Sequence, residues 1–177
     1  MEKRILVVDP DKCTGCRTCE IACSLYHYAE CNPRKSRVKV FKHEVAGVDV
    51  PAVCQNCGTP ICRSVCPAKA ITKDKETGKV SIDQEACIGC EYCAFACPFS
   101  ATTIVEVEGK RKAILCDHCG GEPKCAKYCE TGALSFVKAD EAAELQQTKG
   151  MKAILFHTNP NAARMHDSRV LAKTRVR

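Results

Sequence analysis

Apolar residues occur along this chain in short, strand-sized runs separated by turn formers. The longest run of the aliphatic residues Val, Ile and Leu, Ile5–Val8, is far shorter than the roughly 18 apolar residues needed to span a bilayer. Turn-forming segments between apolar runs predict two β-hairpins. In the first, Lys75–Gly78 precedes Lys79–Ile82, and in the second Glu108–Lys110 joins Ile104–Val107 to Lys112–Leu115. We therefore expect small antiparallel sheets and no integral membrane segment.

Two further segments have a distinct pattern. From Arg34 to Lys42, basic residues alternate with Val38 and Val40, which predicts either an edge strand with one solvated face or a docking surface for an acidic partner. Residues 138–177 are expected to form a C-terminal docking arm. Within this arm, Ala139–Gln147 predicts a short helix, Lys152–Phe156 a strand, and Asn159–Asn161 a turn before a basic end.

Composition changes the picture, because 17 of the 177 residues are cysteine and Trp is absent. No secretory signal opens the chain, so we expect a cytoplasmic protein, in which thiols stay reduced and serve as metal ligands. Sixteen cysteines form four groups, which we number by their order in the chain. The groups are Cys13, Cys16, Cys19 and Cys23; Cys54, Cys57, Cys62 and Cys66; Cys87, Cys90, Cys93 and Cys97; and Cys116, Cys119, Cys125 and Cys129. Cys31 stands outside them.

The first and third groups have gaps of two, two and three residues, the bacterial ferredoxin spacing for 4Fe-4S clusters. Gly15 and Gly89 lie just before the second cysteine of these groups, where a side chain would block a tight loop. In such motifs the fourth cysteine ligates the neighbouring cluster. Zinc is the main alternative metal, but a four-thiolate zinc site does not require a third cysteine at the next two-residue step. Disulfides are less consistent with the pattern.

The segments around the cysteines repeat. Val7–Lys12 leads into Cys13 much as Ser81–Ala86 leads into Cys87. An apolar exit follows each of the last three groups, so each unit is predicted to be a loop, a short helix and a strand. The predicted fold class is therefore α+β, with short helices and two-stranded sheets around the metal sites.

These motifs resemble the four-cluster iron–sulfur subunits found beside the catalytic subunits of molybdenum or tungsten oxidoreductases, carbon monoxide dehydrogenases and some hydrogenases. The resemblance covers residues 4 to 137. It implies two intertwined dicluster-ferredoxin-like units, one formed by residues 1–53 and 111–137 and the other by residues 54–110. It also implies four 4Fe-4S clusters, held by Cys13, Cys16, Cys19 and Cys129; by Cys116, Cys119, Cys125 and Cys23; by Cys54, Cys57, Cys62 and Cys97; and by Cys87, Cys90, Cys93 and Cys66.

The resemblance has one narrower part and two departures. The run from His27 to Arg37 looks most like the short members that serve tungsten aldehyde oxidoreductases. Glu130 follows Cys129, where the family commonly has proline, and Cys31 matches no ligand. We expect Cys31 to be an unliganded, partly buried thiol. His27, His118 and His157 are expected to be hydrogen-bonded side chains, not ligands.

Sixteen thiolates for four clusters leave no iron with an open position, which suits one-electron transfer and not substrate binding. The sequence also lacks a nucleophile elbow and a phosphate-binding glycine loop. We therefore expect a non-catalytic electron-transfer subunit that docks on a catalytic oxidoreductase subunit, or on further copies of itself as a longer wire. A freely diffusing polyferredoxin and a structural or regulatory metal protein are the alternatives.

The formal net charge of +6 needs a correction for the bound clusters. An oxidised cluster with four thiolates carries about −2, so four of them bring the sum to about −2. Bulk basicity therefore gives no reason to expect nucleic-acid binding.

Overall fold

The computed structural model describes residues 4–107 and 109–144, with the side chain of residue 46 left aside. The strands are β1 (Arg4–Val8), β2 (Lys39–His43), β3 (Val48–Ala52), β4 (Ile71–Lys73), β5 (Val80–Ile82), β6 (Thr103–Val107), β7 (Lys110–Ile114) and β8 (Leu134–Lys138). The labelled helices are α1 (Thr18–Tyr28), α2 (Ile61–Ser64), α3 (Tyr92–Ala96) and α4 (Lys124–Lys127), and residues 139–144 are also helical. This content confirms the α+β class.

The strands pair two by two. β2 with β3, β4 with β5, and β6 with β7 form antiparallel hairpins, and the last two are the hairpins that the sequence predicts. β1 pairs with β8, from the opposite end of the described chain. This pairing brings the entry to the first cysteine group beside the exit of the fourth.

The internal repeat is visible in two matching hydrogen bonds. The Asp9 amide donates to the Ala133 carbonyl at 2.7 Å, and the Asp83 amide donates to the Ala70 carbonyl at 2.8 Å. Asp9 and Asp83 occupy equivalent positions before the first and third cysteine groups. The first group is thus joined to the exit of the fourth, and the third group to the exit of the second, by the same contact.

α1 is the longest labelled helix and carries two ligand candidates on its buried face. Cys19, Glu20, Cys23 and Ser24 are buried, as expected for positions one turn apart. Burial of a carboxylate is costly unless its oxygens are hydrogen-bonded. Glu20 Oε1 accepts the Val40 amide at 2.7 Å, which attaches α1 to β2.

Two apolar clusters form the core, and cysteines belong to both. Leu6, Val38, Val53 and Leu134 pack with the buried Cys19, Cys23 and Cys125. Ile71, Val80, Ala113 and Leu115 pack with the buried Cys93. Ordinary apolar side chains therefore shield the thiols from water on the protein side.

Other predicted segments have mixed outcomes. Only the second part of the alternating basic run, from Lys39, is strand (β2), whereas Arg34 and Lys35 belong to a 3-10 helix, so the strand prediction holds in part. Residues 139–144 agree with the predicted helix. The segments from Lys152 onward, and His157, lie outside the described residues.

The chain divides into two units between residues 137 and 138. Among the described residues, no helix is both long enough and apolar enough to cross a membrane.

Candidate iron–sulfur sites

Two of the four ligand sets implied by the resemblance line cavities. Cys13, Cys16, Cys19 and Cys129 surround one cavity, which Val40 and Leu134 close on the protein side. Cys66, Cys87, Cys90 and Cys93 surround another, which is closed by Ile71, Ile82 and Ala113. In both sets, three cysteines come from one loop and the fourth comes from a distant group.

For the other two sets, the members influence one another's pKa values. Burial raises the pKa of Cys54 to about 11, and the nearby charges of Cys62, Cys57 and Cys97 add to this effect. Burial also raises the pKa of Cys125, with contributions from Cys116, Cys23 and Cys119 and a smaller one from Cys19 of the neighbouring set. Cys23 and Cys97 therefore lie beside the distant groups to which the resemblance assigns them.

The donor chemistry fits iron–sulfur clusters. Thiols that are buried together have raised pKa values because several thiolates repel one another in a poorly solvated site. Iron supplies the positive charge that makes all four thiolates favourable. Each of the four sets combines a three-cysteine loop with one sulfur from elsewhere, as cluster binding requires.

Among the described residues, no three cysteine sulfurs lie within 4.8 Å of one another. Four thiolates around one zinc ion, each about 2.3 Å from the metal, would lie roughly 3.8 Å from one another. Across the described residues, which include all 17 cysteines, one group alone has three ligand atoms within 4.8 Å of one another: His27, Asp117 and Cys119. The thiolates of a cuboidal cluster bind different irons and therefore lie further apart than the ligands of a single ion.

Glycine permits the tight ligand loops at the two positions that the sequence indicates. Gly89 has a φ of +71°, and a Cβ placed there would overlap the carbonyl oxygen of Arg111. Gly15 has a φ of +64°, and a Cβ there would overlap the carboxylate of Asp49. The left-handed conformation and the close neighbours both disfavour other residues.

Two lysines fasten ligand loops to the hairpins. Lys73 Nζ donates to the Cys57 and Gly58 carbonyls at 2.9 and 2.8 Å. Lys112 Nζ donates to the Cys87 carbonyl at 2.6 Å and also to the Gln84 carbonyl. Sequence reasoning missed these roles, because a lysine on a strand gives no local signal of the loop that it contacts.

Sequence reasoning also missed a polar group beside Cys23 and Cys119. The His27 side chain is 10% exposed, and its Nε2 lies 3.4 Å from Asp117 Oδ1 and 3.8 Å from Cys119 Sγ. Asp117 Oδ2 accepts Arg37 Nη1 at 2.6 Å. Hydrogen bonds to Asp117, Cys119 and Cys23 raise the pKa of His27 to about 11.

His118 and Cys31 complete the residues singled out from the sequence. His118 is buried, and its Nε2 lies 3.1 Å from Asn56 Nδ2. This contact joins the loop of the fourth cysteine group to that of the second. Burial lowers the pKa of His118, which favours the neutral ring. Cys31 is exposed, so the expectation that it is partly buried is wrong: it lies beyond the end of α1, outside both apolar clusters.

Comparison with known proteins covers all four cysteine groups. A 4Fe-4S dicluster domain matches residues 45–140, and a 4Fe-4S binding domain matches residues 5–29. The polyferredoxin-like subunit of an aliphatic sulfonate oxidoreductase from Pyrococcus furiosus is 41% identical over 130 residues, which is 73% of each protein. The putative electron transport protein YsaA of Escherichia coli is 36% identical over 148 residues, covering 78% of this chain and 92% of that protein. One subunit of the anaerobic dimethyl sulfoxide reductase of Escherichia coli is 35% identical over 156 residues, covering 76% of this chain and 73% of that protein.

Proposed function

The chain belongs to the 4Fe-4S dicluster domain family and holds four 4Fe-4S clusters, and from this premise we propose that it is the non-catalytic electron-transfer subunit of an oxidoreductase complex. When bound, the clusters accept and release single electrons. The observation that carries the proposal is the sixteen grouped cysteines, enough to give each of four clusters four thiolate ligands. Relatives named as electron transport proteins and oxidoreductase subunits support it.

We assign the ligands in four sets. They are Cys13, Cys16, Cys19 and Cys129; Cys116, Cys119, Cys125 and Cys23; Cys54, Cys57, Cys62 and Cys97; and Cys87, Cys90, Cys93 and Cys66. The two thiol-lined cavities and the mutual pKa effects support these groupings. The matching hydrogen bonds from Asp9 and Asp83 support the pairing of the loops into two ferredoxin-like units.

The contacts between the cysteine loops indicate an order of the four ligand sets along the electron path. The Asn56–His118 contact joins the loop of the second cysteine group to that of the fourth, and the charge of Cys54 contributes to the raised pKa of Cys116, after the larger effects of burial and of Cys23. We therefore propose that the sets containing Cys116 and Cys54 are neighbours and that the sets containing Cys13 and Cys90 are the outer ones. We propose that the end sets face the electron donor and acceptor, with residues Cys116 and Cys54 at the internal junction.

The partner is proposed to be a cytoplasmic molybdenum- or tungsten-containing oxidoreductase, with a tungsten aldehyde oxidoreductase as the first to test. The sequence from His27 to Arg37 and the oxidoreductase relatives support this choice. Catalytic subunits of carbon monoxide dehydrogenase or hydrogenase, and further copies of this chain, are the alternatives. A freely diffusing carrier would have no stable partner.

Anaerobic purification with metal analysis tests the proposed function. We expect about sixteen irons and sixteen acid-labile sulfides per chain, and a large metal- or pterin-containing partner that co-purifies with it. Replacement of Cys90 by alanine is expected to lower the iron content by about four atoms if its cluster is lost. Cys31→Ser is the matched control and should leave the iron content unchanged. Zinc without sulfide would refute the proposal, and a monomer that exchanges electrons with many enzymes would favour the free carrier.

A further inference from the structure

The ligand set of Cys23, Cys116, Cys119 and Cys125 is the most buried of the four. Three of its thiols are buried, whereas the sets containing Cys13 and Cys90 each have one buried thiol and the set containing Cys54 has none. Reduction adds a negative charge to a cluster, and burial disfavours added charge. Without compensation, this set would be the hardest of the four to reduce.

The polar group around His27 supplies compensation at the sulfurs. His27 Nε2 lies 3.8 Å from Cys119 Sγ, and Cys23 lies one helical turn before His27 on α1. The Arg37 amide donates to Cys23 Sγ at 3.3 Å.

Asp117 holds this arrangement in place. Its Oδ1 lies 3.4 Å from His27 Nε2 and accepts the Cys119 amide at 2.9 Å, while its Oδ2 accepts Arg37 at 2.6 Å. The His27 side chain is only 10% exposed, so water competes weakly for its donors. The ring is therefore oriented by a carboxylate against the sulfurs, and is not a loose surface group.

Two of the other ligand sets have a neutral group beside one of their sulfurs. Cys97 Sγ accepts the Ala101 amide at 3.5 Å, and the Thr131 hydroxyl lies 3.7 Å from Cys129 Sγ. Hydrogen bonds to cluster sulfurs, solvent exposure and net charge together set the potential of an iron–sulfur cluster. In the part of the chain that the structure describes, an imidazole nitrogen beside a ligand sulfur is thus a feature of the most buried set.

We propose that His27 is a positioning residue that raises the reduction potential of the cluster assigned to Cys23, Cys116, Cys119 and Cys125, by donating a hydrogen bond from Nε2 to the Cys119 sulfur. This inference rests on the proposed electron-transfer function and deepens it. In the proposed order of ligand sets, this set is internal, so its potential decides whether electrons can pass between the two ends. His27 offsets the cost of burial and keeps this internal position reducible.

A redox titration of the purified, four-cluster chain, followed by electron paramagnetic resonance, tests the role of His27. Cys125→Ser changes a proposed ligand of this cluster. The one-electron titration wave that this substitution shifts is therefore assigned to this cluster. In His27→Leu, we expect the ratio of reduced to oxidised cluster at a fixed potential to fall about tenfold for this wave alone, on the order of one charge-assisted hydrogen bond. For a one-electron couple this is a downward shift of about 59 mV.

Two further variants make the test specific. His27→Gln keeps a neutral donor and is expected to shift the same wave downward by less than His27→Leu does. His43→Phe replaces an exposed histidine on β2 and should move none of the four waves. If the His27→Leu protein loses iron, the redox titration of His27→Gln tests the inference instead.

Unchanged waves in a His27 variant that retains all its iron would overturn the inference, as would equal shifts of all four waves. Loss of iron from both His27 variants would assign His27 a structural role and would also overturn it. Failure of the proposed function is distinguishable, because it would appear in the unsubstituted chain as missing iron or missing one-electron waves.

Discussion

Replacement of Gly89 by alanine is expected to destabilise the cluster held by Cys66, Cys87, Cys90 and Cys93. Gly89 has a φ of +71°, and an added Cβ would overlap the Arg111 carbonyl oxygen and lie 3.0 Å from its carbon. Arg111 is paired with Glu106 between β7 and β6. The overlapping atom therefore belongs to a hydrogen-bonded backbone and cannot rotate away.

The magnitude follows from two contributions. A residue with a Cβ in the left-handed region costs about 1–2 kcal/mol. Overpacking against a fixed neighbour costs about 1–3 kcal/mol more. The sum, about 2–5 kcal/mol, is a large part of the stability of a typical domain, about 5–15 kcal/mol. We expect the strain to be relieved by displacement of the Gly89 loop and loss of this cluster.

Two other glycines separate these contributions. Gly120 also has a φ of +71°, but an added Cβ meets no atom within 4 Å, so Gly120→Ala tests backbone strain alone. At Gly15, the overlapping group is the Asp49 carboxylate, the end of a side chain that can rotate. We therefore expect Gly89→Ala to be the most harmful, Gly15→Ala to be intermediate and Gly120→Ala to be the mildest.

The assay is iron and sulfide content after anaerobic purification, together with the rate of iron loss to a chelator. Gly89→Ala should retain about twelve irons per chain, whereas Gly120→Ala should retain about sixteen. Equal iron content and equal chelator resistance in these two variants would refute the reasoning from close backbone approach.

Four other substitutions, in three experiments, test the packing around the clusters. Ser100 has a φ of +49°, so Ser100→Gly should raise the free energy of unfolding by about 1 kcal/mol, measured as a higher melting temperature; a lower one would contradict the assigned conformation. Glu20→Ala leaves the buried Val40 amide without its acceptor and should cost about 1–3 kcal/mol in chemical denaturation, whereas a neutral effect would mean that the bond is dispensable. Asn56→Ala and His118→Ala should be non-additive by about 1 kcal/mol in a double-mutant cycle, because they remove the same contact, and strict additivity would show that the two side chains are not coupled.

Much of the fold was predictable because its contacts are local. The hairpins β4–β5 and β6–β7 follow from apolar runs joined by turn formers only a few residues long. The pairing of β1 with β8 was not predictable in this way, because neither strand carries a sign of its distant partner. The exposed position of Cys31 was missed for the same reason: burial depends on what packs over a residue, not on its own type.

The sequence by itself determined the chemistry of this protein. A loop with three cysteines at two-residue intervals is fixed in its reach by covalent geometry, so the spacing alone indicates the kind and number of clusters. Only the tertiary structure decided what surrounds each sulfur. His27 and Asp117 are far apart in the chain, and they meet beside Cys119 because α1 packs near the loop of the fourth cysteine group. Such contacts arise from long-range packing, in which many weak interactions together choose the arrangement, and no short segment of the chain specifies it.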